Sequence, residues 1–163
     1  GSSEFQHVQE KIAECMINLE VMKACLRASE ADAKTDKWGV MSPDRAPLDA
    51  ARNLFPKLYP RMIEILQLLS ASSLMMIPPD SALNSPVAED IDRYLAVANR
   101  DARDRIKLFR LAWDVACSAF AGRQVLYERF FFGDPVRMMS VLYQTYDKQP
   151  LMDRVEEFLN RDN

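Results

Sequence analysis

The chain has 163 residues, 48% hydrophobic and 28% charged, with a net charge of −3 from 21 basic and 24 acidic side chains. That is the size and composition of one globular domain, and the balance of charge gives no electrostatic case for nucleic acid or an anionic lipid surface. No apolar run reaches the roughly 20 residues that span a bilayer, and four glycines with one histidine leave no dinucleotide fingerprint, phosphate loop, histidine-rich metal site or Ser-His-Asp triad.

Taken in order, Gly1-Ser-Ser-Glu-Phe5 reads as a cloning remnant. From Gln6 to about Ala33 a helix is predicted: Val8, Ile12, Cys15, Leu19, Met22 and Leu26 are spaced 4, 3, 4, 3, 4, the seam of near-antiparallel packed helices. Lys34 to Pro47 is polar, with turn signals at Trp38-Gly39 and Ser42-Pro43-Asp44-Arg45. A second helix is expected from near Pro47 to about Ser72, striped by Leu54, Leu58, Met62, Ile65 and Leu69. Pro56 and Pro60 lie inside it and predict a kink or break between Phe55 and Pro60. Leu74 to Pro86 reads as an irregular loop.

A third helix is expected from Pro86 or Val87. It has no strong breaker before Phe120, so it is expected to run into the stretch from Ile106 to Arg137, the longest helix signal in the chain. Asn99 to Arg105 alternates in charge and reads as a solvated helix face. The long stretch ends in three phenylalanines and Gly133-Asp134-Pro135. Gly133 suits a positive-φ stop, Asp134 an N-cap and Pro135 a first helical residue, so a new helix is predicted over Val136 to about Lys148. Pro150 starts a last short helix using Leu151, Val155, Phe158 and Leu159. No segment alternates like a strand. The fold class is therefore all-α, a bundle of four main helices with short additions.

Cys15, Cys25 and Cys117 are an odd count without a close pair and read as small buried thiols of a reduced, cytoplasmic protein, with no metal site. His7, near one end of the first helix, reads as a surface or packing residue and not as an acid–base catalyst. Glu128 and Asp134 form a possible carboxylate pair, but capping accounts for Asp134 and a salt bridge to an arginine for Glu128. No catalytic residue is assigned. The junction at Phe132-Gly133 has the stronger chemistry: the helix from Pro135 presents free N–H groups there, and Arg129 and Arg137 flank it. A structural turn and an anion site both remain open at this point, since the Asp134 carboxylate occupies part of the same positive field.

Tyr127-Glu-Arg-Phe-Phe-Phe-Gly-Asp-Pro-Val-Arg137, with Phe109-Arg-Leu-Ala-Trp-Asp114, Gly122-Arg-Gln124, Gln6 to Ile12 and Pro47 to Arg61, resembles the C-terminal domain of the 4-hydroxyphenylacetate 3-monooxygenase oxygenase family. The likeness looks greatest to its chlorophenol and nitrophenol branch. The resemblance implies an acyl-CoA-dehydrogenase-like fold whose C-terminal four-helix bundle forms a tetramer and touches flavin. It also implies reduced FAD delivered by a separate reductase, with a phenol as substrate. By the same resemblance, Phe132, Gly133, Asp134 and Pro135 are the expected flavin contacts, with Arg129 and Arg137 behind them. The family's Arg-Tyr-His constellation for the phenol lies in N-terminal and middle regions, so the chain is expected to be the C-terminal part of a larger flavoenzyme, inactive alone, and His7 does not inherit the catalytic role. The rival readings are an acyl-CoA-dehydrogenase-like enzyme of a CoA thioester and a ligand-free oligomerisation module.

Overall fold

The computed structural model describes residues 2–161. The helices are α1 (Gln6–Ala31), α2 (Arg45–Ser70), α3 (Ala88–Leu95), α4 (Ala102–Ala116), α5 (Ala119–Phe130), α6 (Pro135–Thr145) and α7 (Gln149–Leu159). None of the described helices is long and apolar enough to cross a membrane. The fold is all-α, as expected. One feature was not anticipated: β1 (Lys34–Thr35) and β2 (Met41–Ser42) pair antiparallel across a tight turn. Asp36 closes the turn, its Oδ1 accepting from the Trp38 and Val40 amides at 2.8 and 3.0 Å, while Gly39 takes φ +81°.

The chain divides into two compact units, the first made of residues through Leu19 with Pro56–Phe131, the second of Glu20–Phe55 with the residues from Phe132 onward. α1 and α2 each pass from one unit to the other, α2 doing so at Phe55–Pro56. α2 is nevertheless one continuous helix of 26 residues with both prolines inside it, so the expected break is absent. The two prolines remove two amides from the helical ladder without ending it.

In the first unit α4 packs on α3, α5 and the 3-10 turn Ala71–Leu74. The buried apolar residues are Ile63, Ile65, Leu74, Ala102, Ile106, Ala116 and Ala121. The single long helix expected from Val87 to Phe130 is three helices. Asp101 caps α4, its side chain accepting from the Asp104 amide at 2.8 Å. Ser118 caps α5, accepting from the Ala121 amide at 3.1 Å and donating to the Asp114 carbonyl at 2.7 Å. Each cap offers the backbone an alternative to continuing the helix, and that is the physical reason for the breaks. Phe5 stacks on His7 with ring centroids 5.8 Å apart, and both side chains are exposed, so His7 is a surface residue.

α1 and α2 are tied within this unit by Arg61, whose Nε and Nη2 donate to the two Glu14 carboxylate oxygens at 2.7 and 2.9 Å; its Nη1 donates to Glu64 at 2.7 Å. The hydrogen-bonded guanidinium holds the Glu14 carboxyl below its ordinary pKa, against a smaller opposing effect of burial. A carboxyl depressed in the folded state adds stability above its unfolded pKa and loses it as pH falls through the folded one. Thermal melting across the acid range is therefore expected to show the wild type above Glu14→Gln at neutral pH, with the two curves converging below about pH 4. Parallel curves throughout would refute the assignment.

The second unit has a thin core. Its buried side chains are Ala51 and Met138, with the polar Ser29 and Asp49. Ser29 joins the end of α1 to the start of α2: its Oγ donates to the Asp44 carbonyl at 2.9 Å, and its own carbonyl accepts from the Asp44 amide at 2.9 Å. Large apolar side chains stay exposed along the helices of both units. Ile12, Leu19 and Leu26 of the predicted α1 seam are exposed, and in α7 Leu151, Val155, Phe158 and Leu159 are all more than half exposed. Seam spacing told which residues share a face, not that this chain covers the face. The three cysteines are free and half-buried rather than buried.

Candidate functional site

The predicted junction forms as expected. α5 ends at Phe130, Gly133 takes φ +120°, Asp134 accepts the Arg137 amide at 2.9 Å, and Pro135 opens α6. A Cβ at Gly133 would meet Met138 Cγ at 3.8 Å, an ordinary contact. Glycine is needed there for its backbone conformation, since L side chains rarely adopt that φ, and not for space.

Beside the junction, within the second unit, lies a cleft of about 260 Å³ whose lining includes Arg45, Asp49, Arg52, Asn53, Phe132, Gly133 and Arg137. The first turns of α2 build one wall, because Arg45, Asp49 and Arg52 at i, i+4 and i+7 share a helix face. Arg52 is the hinge of the arrangement. Its Nη1 donates to Asp49 Oδ1 at 3.0 Å, its Nη2 reaches the Phe132 carbonyl at 3.4 Å, and its guanidinium carbon lies 5.6 Å from the Phe132 ring centroid. Arg45 sits at 3.4 Å from the other Asp49 oxygen, long for a hydrogen bond. Asn53 donates back to the Asp49 carbonyl at 2.8 Å. The Phe55 ring meets Phe132 edge-on, 6.4 Å between centroids at 78°.

The electrostatics follow from the count. Three guanidiniums face one carboxylate, and Asp49, only 5% exposed, is committed to two of them. The cleft carries an excess of positive charge in a partly desolvated place beside an aromatic ring. Its chemistry is that of an anion acceptor, with guanidinium forks suited to phosphate oxygens and a ring against which a flat group packs.

Of the six residues singled out from sequence, Phe132, Gly133 and Arg137 line this cleft. Asp134 and Pro135 are its neighbours in chain order and serve the start of α6. Arg129 belongs to the first unit, where it lines an open groove with Glu64, Gln67 and Phe130. Glu128 accepts from Gln124 Nε2 at 2.6 Å instead of from an arginine. Burial, and then the Glu128 charge, raise the Tyr59 phenol above its ordinary pKa. Sequence reasoning missed Arg45, Asp49, Arg52 and Asn53. The i, i+4, i+7 spacing carries the signal, but the turn read at Ser42-Pro43-Asp44-Arg45 puts Arg45 ahead of Pro47, outside the expected helix.

The helices and this cleft define an all-α domain that offers a cationic, ring-lined cleft at a helix–helix junction. The chain belongs to the family described as 4-hydroxyphenylacetate 3-hydroxylase C terminal, which it matches over residues 1–160. It is 47% identical over 159 residues to the 4-hydroxyphenylacetate 3-monooxygenase oxygenase component of Thermus thermophilus, covering 98% of this chain and 33% of that protein. Against the 4-nitrophenol 2-monooxygenase oxygenase component of a Rhodococcus species the identity is 34% over 140 residues, covering 82% of this chain and 26% of that protein. Both kinds of relative that the resemblance named are thus present, and of these two the 4-hydroxyphenylacetate protein shares the higher identity. The crystal structure of the oxygenase component of 4-hydroxyphenylacetate 3-monooxygenase complexed with FAD superposes with a TM-score of 0.94 at 46% identity, over 99% of this chain and 34% of that one. The chain spans about a third of the length of these relatives.

Proposed function

We propose that this chain is the C-terminal, flavin-contacting and assembly-forming domain of the oxygenase component of a two-component aromatic monooxygenase, acting on a phenol with reduced FAD from a separate reductase. The observation that carries the reading is the likeness to a structure complexed with FAD at 46% identity. The cleft fits such a group by its chemistry: Arg45, Arg52 and Arg137 suit the diphosphate, and Phe132 offers a ring face. Gly133 lets the backbone turn there without a side chain. When bound, reduced flavin supplies the activation of O₂. The part proposed for this chain is to bind and orient the cofactor and to exclude water from one side of it. The phenol site and the catalytic residues then belong to the part of the enzyme this chain does not span. Residues 6–163 are the proposed domain, and a tetramer in the cytoplasm is the expected setting.

Titrating FAD into the purified chain, followed by flavin fluorescence or heat, tests this. Saturable binding is expected, weakened about tenfold or more in Arg137→Ala and in Gly133→Ala. No phenol hydroxylation is expected from the chain alone, even with reduced FAD, and turnover would overturn the assignment of catalysis to the remainder. The exposed apolar faces favour a second reading, a ligand-free oligomerisation module. Its mark would be variants that alter assembly and leave flavin affinity untouched in the full-length enzyme. No observation favours the CoA thioester reading.

A further inference from the structure

We propose that the first unit carries a second binding site, for a small aromatic acid, in the pocket between α4 and the segment that follows α2. The pocket has a cavity volume of about 120 Å³, room for one small ring and less than a drug-sized ligand fills, and its walls are mostly apolar, with Ile77, Pro78, Leu95, Ile106 and Phe109 among them. The charged residue in its lining is Arg105, and no carboxylate lines it.

The charge of Arg105 distinguishes this pocket from an ordinary packing defect. α4 projects three arginines toward the preceding segment. Arg103 pairs with Asp92 at 3.3 Å, and Arg110 pairs with Asp80. Arg105 has no carboxylate: its Nη1 donates to the Leu95 carbonyl at 3.0 Å, and its guanidinium carbon lies 5.3 Å from the Phe109 ring centroid. It is half-buried, and one carbonyl uses one of its five N–H groups. A cation partly removed from water without a counter-charge favours an anion in the same space.

The same three arginines hold the walls in place. Arg110 donates to the Pro78 carbonyl at 2.9 Å, Arg103 to the Leu83 carbonyl at 3.1 Å, and Arg105 to Leu95. A segment without long helices is thus pinned to α4 at three points. The pocket is formed in advance of any ligand, and less ordering entropy is lost on binding. Apolar walls take a ring; the unpaired guanidinium takes a carboxylate. A benzoate-like monoanion satisfies both, and an uncharged ring or a carboxylate without a ring satisfies one.

This inference stands apart from the flavin reading, and its test uses different residues. Benzoate is titrated into the full chain by calorimetry or ligand-observed NMR, with benzyl alcohol and acetate as controls. Saturable benzoate binding is expected in the millimolar range or tighter, with acetate not saturating. Arg105→Gln keeps a donor for the Leu95 carbonyl; it is expected to weaken benzoate about tenfold or more while leaving benzyl alcohol within about threefold. Met76, 69% exposed in the pocket lining, tolerates replacement; Met76→Trp is expected to block both ring compounds without altering the melt. FAD affinity is expected to be unchanged in both variants. Failure of benzoate to saturate, acetate binding as well as benzoate, or benzoate affinity indifferent to both substitutions would overturn the proposal.

Discussion

Ile65→Ala is expected to cost about 3 kcal/mol, within the usual range of 2–5 for emptying a buried aliphatic site, and to lower Tm by roughly 6–12 °C. Ile65 is 2% exposed, the largest side chain the fold buries completely. Few others share its position: the buried apolar residues of the first unit number three alanines besides Ile63, Ile65, Leu74 and Ile106. With so small a core and so much apolar surface in water, the chain has little stability to spare. Leu68→Ala, on the same helix at a position 51% exposed, is expected to cost less than about 1 kcal/mol. Urea or thermal melts of the two variants check this. Equal losses would mean that the apolar face of α2 is covered in solution, and that the monomer is not the species measured.

That contrast also marks how far the sequence could be read. Local signals survived intact. Gly133, Asp134 and Pro135 each act through their own backbone and the next turn, and all three do in the fold what their residue types require. The helix breaks at Asp101 and Ser118 were equally local, yet were hidden. Asp101 sits in a run of alternating charge that a solvated face explains as well, and Ser118 sits among residues that all tolerate a helix. The stripe of α2 was drawn with the right period but only part of it is covered: Ile65 is buried while Leu54, Met62 and Leu69 are each 37% exposed. Periodicity reports which residues share a face. What lies against that face is a property of the whole assembly, and the spacing of residues along one helix does not contain it.

The site followed the same division. Phe132 and Gly133 were legible because a helix junction is written in consecutive residues. Arg45, Asp49 and Arg52 come from a segment about 80 residues earlier, and nothing in their own spacing says that they meet Phe132. The resemblance to a flavoenzyme family pointed to the junction and was silent about the opposite wall of the cleft.

Arg52→Ala tests that wall, and two effects are expected because the side chain has two tasks. Removing it leaves the Asp49 carboxylate, nearly buried, with only the long contact to Arg45. An uncompensated acceptor of this kind costs roughly 1–3 kcal/mol. Removing it also deletes the guanidinium beside the Phe132 ring, and FAD affinity is expected to fall about tenfold or more. The second substitution Asp49→Ala separates the two. With carboxylate and guanidinium both gone, no buried charge is left unpaired, so the double variant is expected to recover at least half of the lost stability. It restores no cation to the cleft, so FAD affinity is expected to stay low. Recovery of binding along with stability would show that Arg52 acts only by holding the fold. Stability recovered while binding stays lost is the pattern of a residue that meets the ligand.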